Sequence, residues 1–216
     1  WGLERLPDFQ NVSTSFDRFI TISGKLNYQY FLRSLGAVDD EKGIRWQLIS
    51  HNNYVNSVLF PRLLTNLDYG ILLPINHSSL WLRSSIGYSF GGRSEPFANF
   101  FFGGFGNNWV DYLDSKRYRE YYSFPGVELN HLGGTSYGKF LLEWVFPPIR
   151  FRRFGVQSLY MNWAHLSFFS SALSTNLDNP TEKRTALNLG VQLDCKLVIF
   201  SIQESTLSFG YAAVLP

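Results

Sequence analysis

Residues 20 to 30 read ITISGKLNYQY. Every second residue from Ile20 gives Ile, Ile, Gly, Leu, Tyr, Tyr, and between them stand Thr21, Ser23, Lys25, Asn27 and Gln29. One face is apolar and the other polar. Alternation with period two is the signature of a β-strand, because successive side chains leave a pleated chain on opposite sides. At about 3.3 Å per residue the stretch spans roughly 36 Å, longer than most strands of soluble proteins. Two environments satisfy the pattern: a long soluble sheet, or a strand crossing a bilayer with lipid on one side and water on the other.

The same pattern returns along the chain. In SLWLRSSIGYSF (79 to 90), Leu80, Leu82, Ile86, Tyr88 and Phe90 oppose Trp81, Arg83, Ser85, Gly87 and Ser89. In RTALNLGVQLDCKL (184 to 197), Leu187, Leu189, Val191, Leu193, Cys195 and Leu197 oppose Asn188, Gly190, Gln192, Asp194 and Lys196. Weaker repeats fall near 43–50, 66–73, 97–105, 126–133, 137–146, 157–170 and 204–214, separated by Gly, Asn, Asp, Ser and Pro clusters that favour turns. The reading is ten strands in one all-β unit over 1–216. No amphipathic helix or linker interrupts it. Pro147-Pro148 ends a strand, and IRFRRFG after it reads as a charged turn at an interface or as a contact for anionic headgroups such as lipopolysaccharide.

Composition separates the two environments. Aromatic residues make up 18% of the 216 and charged residues only 17%, below the roughly 25% usual in soluble domains. Mean hydropathy is −0.09, and no run approaches 18 apolar residues, which excludes a helical membrane protein. Low charge, many aromatics and neutral hydropathy belong together when half of every strand meets lipid and half meets water. Lys25, Arg83, Asp194 and Lys196 on the polar faces suit a wet lumen better than a dry core. The expectation is an antiparallel meander β-barrel spanning a membrane.

Several function classes recede. A formal charge of +2 gives no footprint for nucleic acid. One cysteine, Cys195, excludes an internal disulfide. His51, His77, His131 and His165 are scattered without metal-ligand spacing, and no nucleophile elbow or paired carboxylates appear, so no catalytic, cofactor or metal site is assigned. No targeting pattern opens the chain, which fits a processed precursor or an excised domain beginning at Trp1.

The least ordinary passage is FFFGGFGNNWVDYLDSKRYREYYSFPG, residues 100 to 126. Gly103, Gly104 and Gly106 permit backbone conformations closed to other residues, and Asn107-Asn108 tolerate left-handed turns. No helix pattern follows, so this is not a phosphate-binding loop.

Here the chain resembles the bacterial surface-antigen (BamA-like) outer-membrane barrels, which assemble or translocate proteins. In that family a Gly-Gly segment leads into a long loop whose Arg-Gly-Tyr or Arg-Gly-Phe tripeptide folds into the lumen and pairs with acids on the wall. Gly103-Gly104 and Asn107-Asn108 match the approach. Val110-Asp111-Tyr112 stands where Val-Arg-Gly-Tyr is expected, so the arginine is displaced. Arg117 and Arg119 are the cations the loop offers, with Glu128 and Glu143 as acids on the strands that follow. The resemblance implies an in-folding loop at 103–124 and, since the family's sixteen-stranded barrel has five strands after this loop, that the chain corresponds to its C-terminal ten strands or to a smaller closed relative. A fusion to a TolB-like propeller has the same arrangement.

The resemblance further implies a non-enzymatic protein of the Gram-negative outer membrane, with the lipid bilayer, a client polypeptide and lipopolysaccharide at the rim as partners. A passive or selective pore, a membrane anchor for a soluble domain and a rim-site hydrolase are the alternatives. The ending at Pro216 departs from the terminal aromatic residue common in that family.

Overall fold

A computed structural model describes residues 19–55, 57–105 and 116–215. The chain is all-β and antiparallel, with no α-helix among the described residues. Its strands are β1 (Phe19–Leu32), β2 (Lys42–Val55), β3 (Val58–Leu72), β4 (Ser79–Ser89), β5 (Phe100–Phe102), β6 (Leu132–Gly134), β7 (Ser136–Val145), β8 (Ile149–Val156), β9 (Leu159–Thr175), β10 (Arg184–Ile199) and β11 (Gln203–Leu215). Nine form one sheet in the order β1-β2-β3-β4-β7-β9-β10-β11, with β8 also on β9; β5 and β6 make a separate two-stranded ribbon.

The alternation in residues 20 to 30 becomes a 14-residue strand, β1, whose partner along its whole length is β2. Two expected strands differ. Stretches 97–105 and 126–133 contribute only the three-residue β5 and β6, because aromatic and glycine-rich chain here turns over the sheet rather than extending it. Conversely, IRFRRFG is not a turn but most of β8, which pairs with the first residues of β9 through a register shift between Arg150 and Phe154. Beyond the shift, Gly155 takes φ +129° and pairs with Tyr160.

Among the described residues the sheet is an open antiparallel meander whose two ends do not pair with each other. Within the described residues β1 pairs only with β2 and β11 only with β10. Both edge strands expose residues on both faces, whereas β4 and, from Tyr137 on, β7 at the centre alternate between buried and more exposed residues. Among the described residues, exposure on both faces of β1 goes with its position at the edge of the sheet.

The two faces of the sheet differ in chemistry. Cross-strand register places Leu63, Leu67 and Tyr69 of β3, Leu82, Ile86 and Tyr88 of β4, Phe140, Leu142 and Trp144 of β7, Phe168 of β9 and Leu187, Leu189 and Leu193 of β10 on one exposed side. On that side of β1–β4, β7 and β9–β11 there is no Asp, Glu, Lys or Arg except Lys42, the first residue of β2. The opposite side carries Lys25, Arg45, Arg62, Asp68, Arg83, Lys139, Glu143 and Asp194, and chain segment 116–135 packs on it.

The inner side is layered. Phe100, Phe102, Phe124 and Leu132 from the ribbon and loop pack with Leu64, Tyr137 and Leu173 of the sheet. One step along the strands, Tyr118 stacks on Phe169 with ring centroids 4.1 Å apart and contacts Leu141. Space for these rings comes from glycines paired with aromatics. A Cβ on Gly190 would fall 2.2 Å from the ring of its cross-strand partner Phe169, and one on Gly87 would fall 2.3 Å from Tyr137.

Candidate functional site

Between these apolar layers runs a string of charges of alternating sign. On β2, Arg45 donates from Nε to Asp68 Oδ2 of β3 at 2.8 Å, its directly paired residue. Asp68 also accepts from Arg83 Nη1 of β4 at 3.1 Å, again its cross-strand partner. Arg83 Nε turns to Glu143 Oε2 of β7 at 2.9 Å. From Glu143 the string leaves the sheet: Arg119 Nη2 lies 2.7 Å from Oε1 and reaches Asp39 Oδ2 at 2.6 Å, and Lys116 Nζ is 2.9 Å from the same Asp39 oxygen. The strands supply this order because residues two apart share a face and neighbouring strands bring partners within about 5.5 Å.

Glu143 is the hub. Its side chain is fully buried, and Tyr118 donates its hydroxyl to Oε1 at 2.6 Å in addition to the two guanidiniums. With both oxygens engaged, the carboxylate acts as an anchor for the loop rather than as a proton acceptor. Such a buried ion requires every partner, because unpaired charge in a poorly hydrated site costs several kcal/mol. Asp39 stands in the β1–β2 turn. Burial would raise its carboxyl pKa, but Arg119 and Lys116 outweigh that and hold it well below the usual carboxylate range.

The loop is fastened again beyond Arg119. Lys139 of β7, buried, donates to the carbonyls of Ser123 at 2.5 Å, Glu120 at 2.7 Å and Tyr121 at 3.3 Å. Asn188 of β10 gives its amide to Pro125 O at 2.7 Å. At the loop's base, Phe124 N donates to Gly104 O and Gly104 N to Val127 O, each at 2.9 Å. Gly104 takes φ +59°, and a Cβ on Gly103 would fall 2.0 Å from Glu128 O, so the Gly-Gly pair is where the chain can pass.

Of the residues singled out from sequence, Arg119 and Glu143 meet directly. Arg117, one residue before Tyr118, makes no ion pair among the described residues and lines a separate cavity of about 380 Å³ with Phe105, Gln192, Thr206 and Ser208. Glu128 is exposed and outside the network. Asn107, Asn108 and Val110-Asp111-Tyr112 lie outside the described residues. Asp39, Asp68, Lys116, Lys139 and Asn188 were not anticipated as loop or network partners. The inward parity they share with Glu143 was the available signal for Asp68, Lys139 and Asn188. Nothing in the local sequence marked the turn residue Asp39.

Beside the network, a cavity of about 200 Å³ opens between β1–β4 and the loop, lined by Lys25, Gln47, Asn66, Ser85 and Lys139 among others. Among the described residues no His, Cys, Asp and Glu gather in a metal-holding group. No protein-family profile, curated protein or solved structure matches the chain.

Proposed function

We propose that this chain is an outer-membrane β-barrel, or the C-terminal part of one, that works without enzymatic chemistry in assembling or translocating proteins, as the barrels it resembles do. The observation that carries the membrane assignment is the outer side of the sheet. Eight consecutive strands present it to solvent with a single terminal lysine as its only charge. Contiguous apolar surface on soluble monomers seldom exceeds a few hundred Å². Lipid accounts for an uncharged exterior beside an interior of ion pairs, serines and asparagines.

The two open edges support incorporation in a larger or closed sheet. β1 and β11 are 14 and 13 residues long and carry no proline or cluster of charge to blunt them. They run in opposite directions, so they can close on each other or on an even number of further strands. In this reading the network around Glu143 holds the 116–125 segment inside the lumen, and β1 and β11 are where a client strand would add. The runner-up, a pore, draws on the polar cavity beside the loop.

Single cysteines in a Cys195→Ser background test the assignment after reconstitution in lipid vesicles. A water-soluble thiol reagent should label residues 21, 25 and 27 and spare residues 20, 22, 26 and 28. Equal labelling of the two sets refutes the membrane reading. Crosslinking of a client to β1 or β11 separates assembly from a pore, which planar-bilayer conductance would reveal instead.

A further inference from the structure

β8 and the start of β9 form an overhang. β7 ends its pairing at Val145 opposite Ser167, and β9 continues back to Leu159 with β8 alongside. β9 has 17 residues, about 56 Å along the strand, or about 40 Å across a bilayer at a tilt of about 45°, against an apolar band about 25 Å tall. Its first residues therefore pass beyond the hydrocarbon.

The overhang is apolar at its tip and basic along one strand. Phe154, Val156 and Leu159 are exposed, and the neighbouring β10–β11 turn adds Phe200 and Ile202, at 71% and 88% exposure. The two tips are joined: Phe200 N donates to Ser158 O at 2.7 Å. Arg150 and Arg152 are exposed, and Arg153 follows in sequence. Arg150 donates to the Gly36 carbonyl, and neither Arg150 nor Arg152 has a carboxylate partner among the described residues. The acids at this end are already engaged, Asp40 by Arg33, Glu41 by His77 and Glu204 by Lys196.

We propose that the β8–β9 overhang and the β10–β11 turn form an anchor for an anionic phospholipid surface. The apolar tips enter the headgroup boundary and the exposed Arg150 and Arg152 of β8 pair with lipid phosphates. Continuity with the uncharged outer side and the unneutralised arginines select lipid as occupant over protein. The proposal takes its geometry from the lipid-facing assignment above.

An environment-sensitive fluorophore on Val156→Cys, in the Cys195→Ser chain reconstituted in vesicles, provides the test, with Leu189→Cys as the reference for the outer side. With phosphatidylglycerol mixed into phosphatidylcholine, the probe at 156 should report an apolar setting, reversed by high salt. Each of Arg150→Gln and Arg152→Gln should weaken that docking about fivefold, the factor matching about 1 kcal/mol per basic residue at an anionic surface. A buried probe at 189 with a probe at 156 that stays aqueous in both lipids overturns the anchor and leaves a solvated turn. A signal at 156 insensitive to phosphatidylglycerol and to the arginines overturns it as well. An aqueous reading at 189 instead removes the lipid-facing assignment, while the response at 156 still decides the anchor by itself.

Discussion

Replacing Glu143 by Gln removes one negative charge from a site where Arg83 and Arg119 both depend on it. The substitution keeps the shape of the side chain, so packing beside Tyr118 changes little and the electrostatic loss is isolated. Glu143 is completely buried, and the side chains of Arg83 and Arg119 are 8% and 12% exposed. Screening by water is therefore weak, and the cost of breaking a buried pair by removing one partner, about 3 to 5 kcal/mol, is the appropriate scale. An exposed pair would register about 0 to 1 kcal/mol.

The expected loss for Glu143→Gln is thus about 3 to 5 kcal/mol, read from reversible denaturant unfolding of the chain folded into lipid vesicles. Arg119→Met should lose a comparable amount. The double variant should fall short of the sum by about 0.5 to 3 kcal/mol, because the two residues share an interaction. Charge reversal at both sites restores only part of the stability, since Glu143 also serves Arg83 and Arg119 also serves Asp39. Arg117→Glu with Glu128→Arg provides the contrast and should be additive. A loss under about 1 kcal/mol for Glu143→Gln, or strict additivity with Arg119→Met, would refute the reasoning that this network holds the loop.

Lys139→Met removes the ammonium that donates to the carbonyls of Glu120, Tyr121 and Ser123 and should cost about 1 to 3 kcal/mol, with faster proteolysis between residues 116 and 125 as the local readout. Asp39 has a carboxyl pKa depressed by folding, so its contribution is fully present above the unfolded value of 3.8 and fades as pH falls further. The stability advantage of the parent over Asp39→Asn should hold from neutral pH to about 5 and shrink below 3.8, as pH-dependent unfolding would report. Gly190→Ala places a methyl group into the ring of Phe169 and should cost about 1 to 3 kcal/mol in the same unfolding assay. Leu189→Arg should lose about 2 to 4 kcal/mol in vesicles, whereas Thr206→Arg, which faces the cavity beside Arg117, should lose little.

What the sequence disclosed follows from the range over which each signal acts. Strand parity is a local property: the residues 20 to 30 and 184 to 197 declare their two faces without reference to any neighbour, and β1 and β10 keep those faces. The aromatic-glycine stretch carries no such period, so its reduction to the short β5–β6 ribbon depended on Phe100 and Phe102 finding Tyr137 across the sheet. β8 was hidden by charge. Arginines at 150, 152 and 153 read as a turn, yet pairing with β9 depends on backbone groups, and Arg150 and Arg152 stay exposed.

The network at Glu143 shows the same division. Arg83, Asp68 and Lys139 share the inward face with it by parity, but whether they touch depends on strand order, which parity does not encode. β4 lies beside β7 because the described residues between them, 90–105 and 116–135, add no strand to the large sheet. Segment 116–135 brings Arg119 to Glu143 and sets Lys139 under the carbonyls of residues 120 to 123. The same segment that hid the strand order from the sequence thus creates the ion pairs, and loosening it should weaken the β4–β7 junction together with the loop.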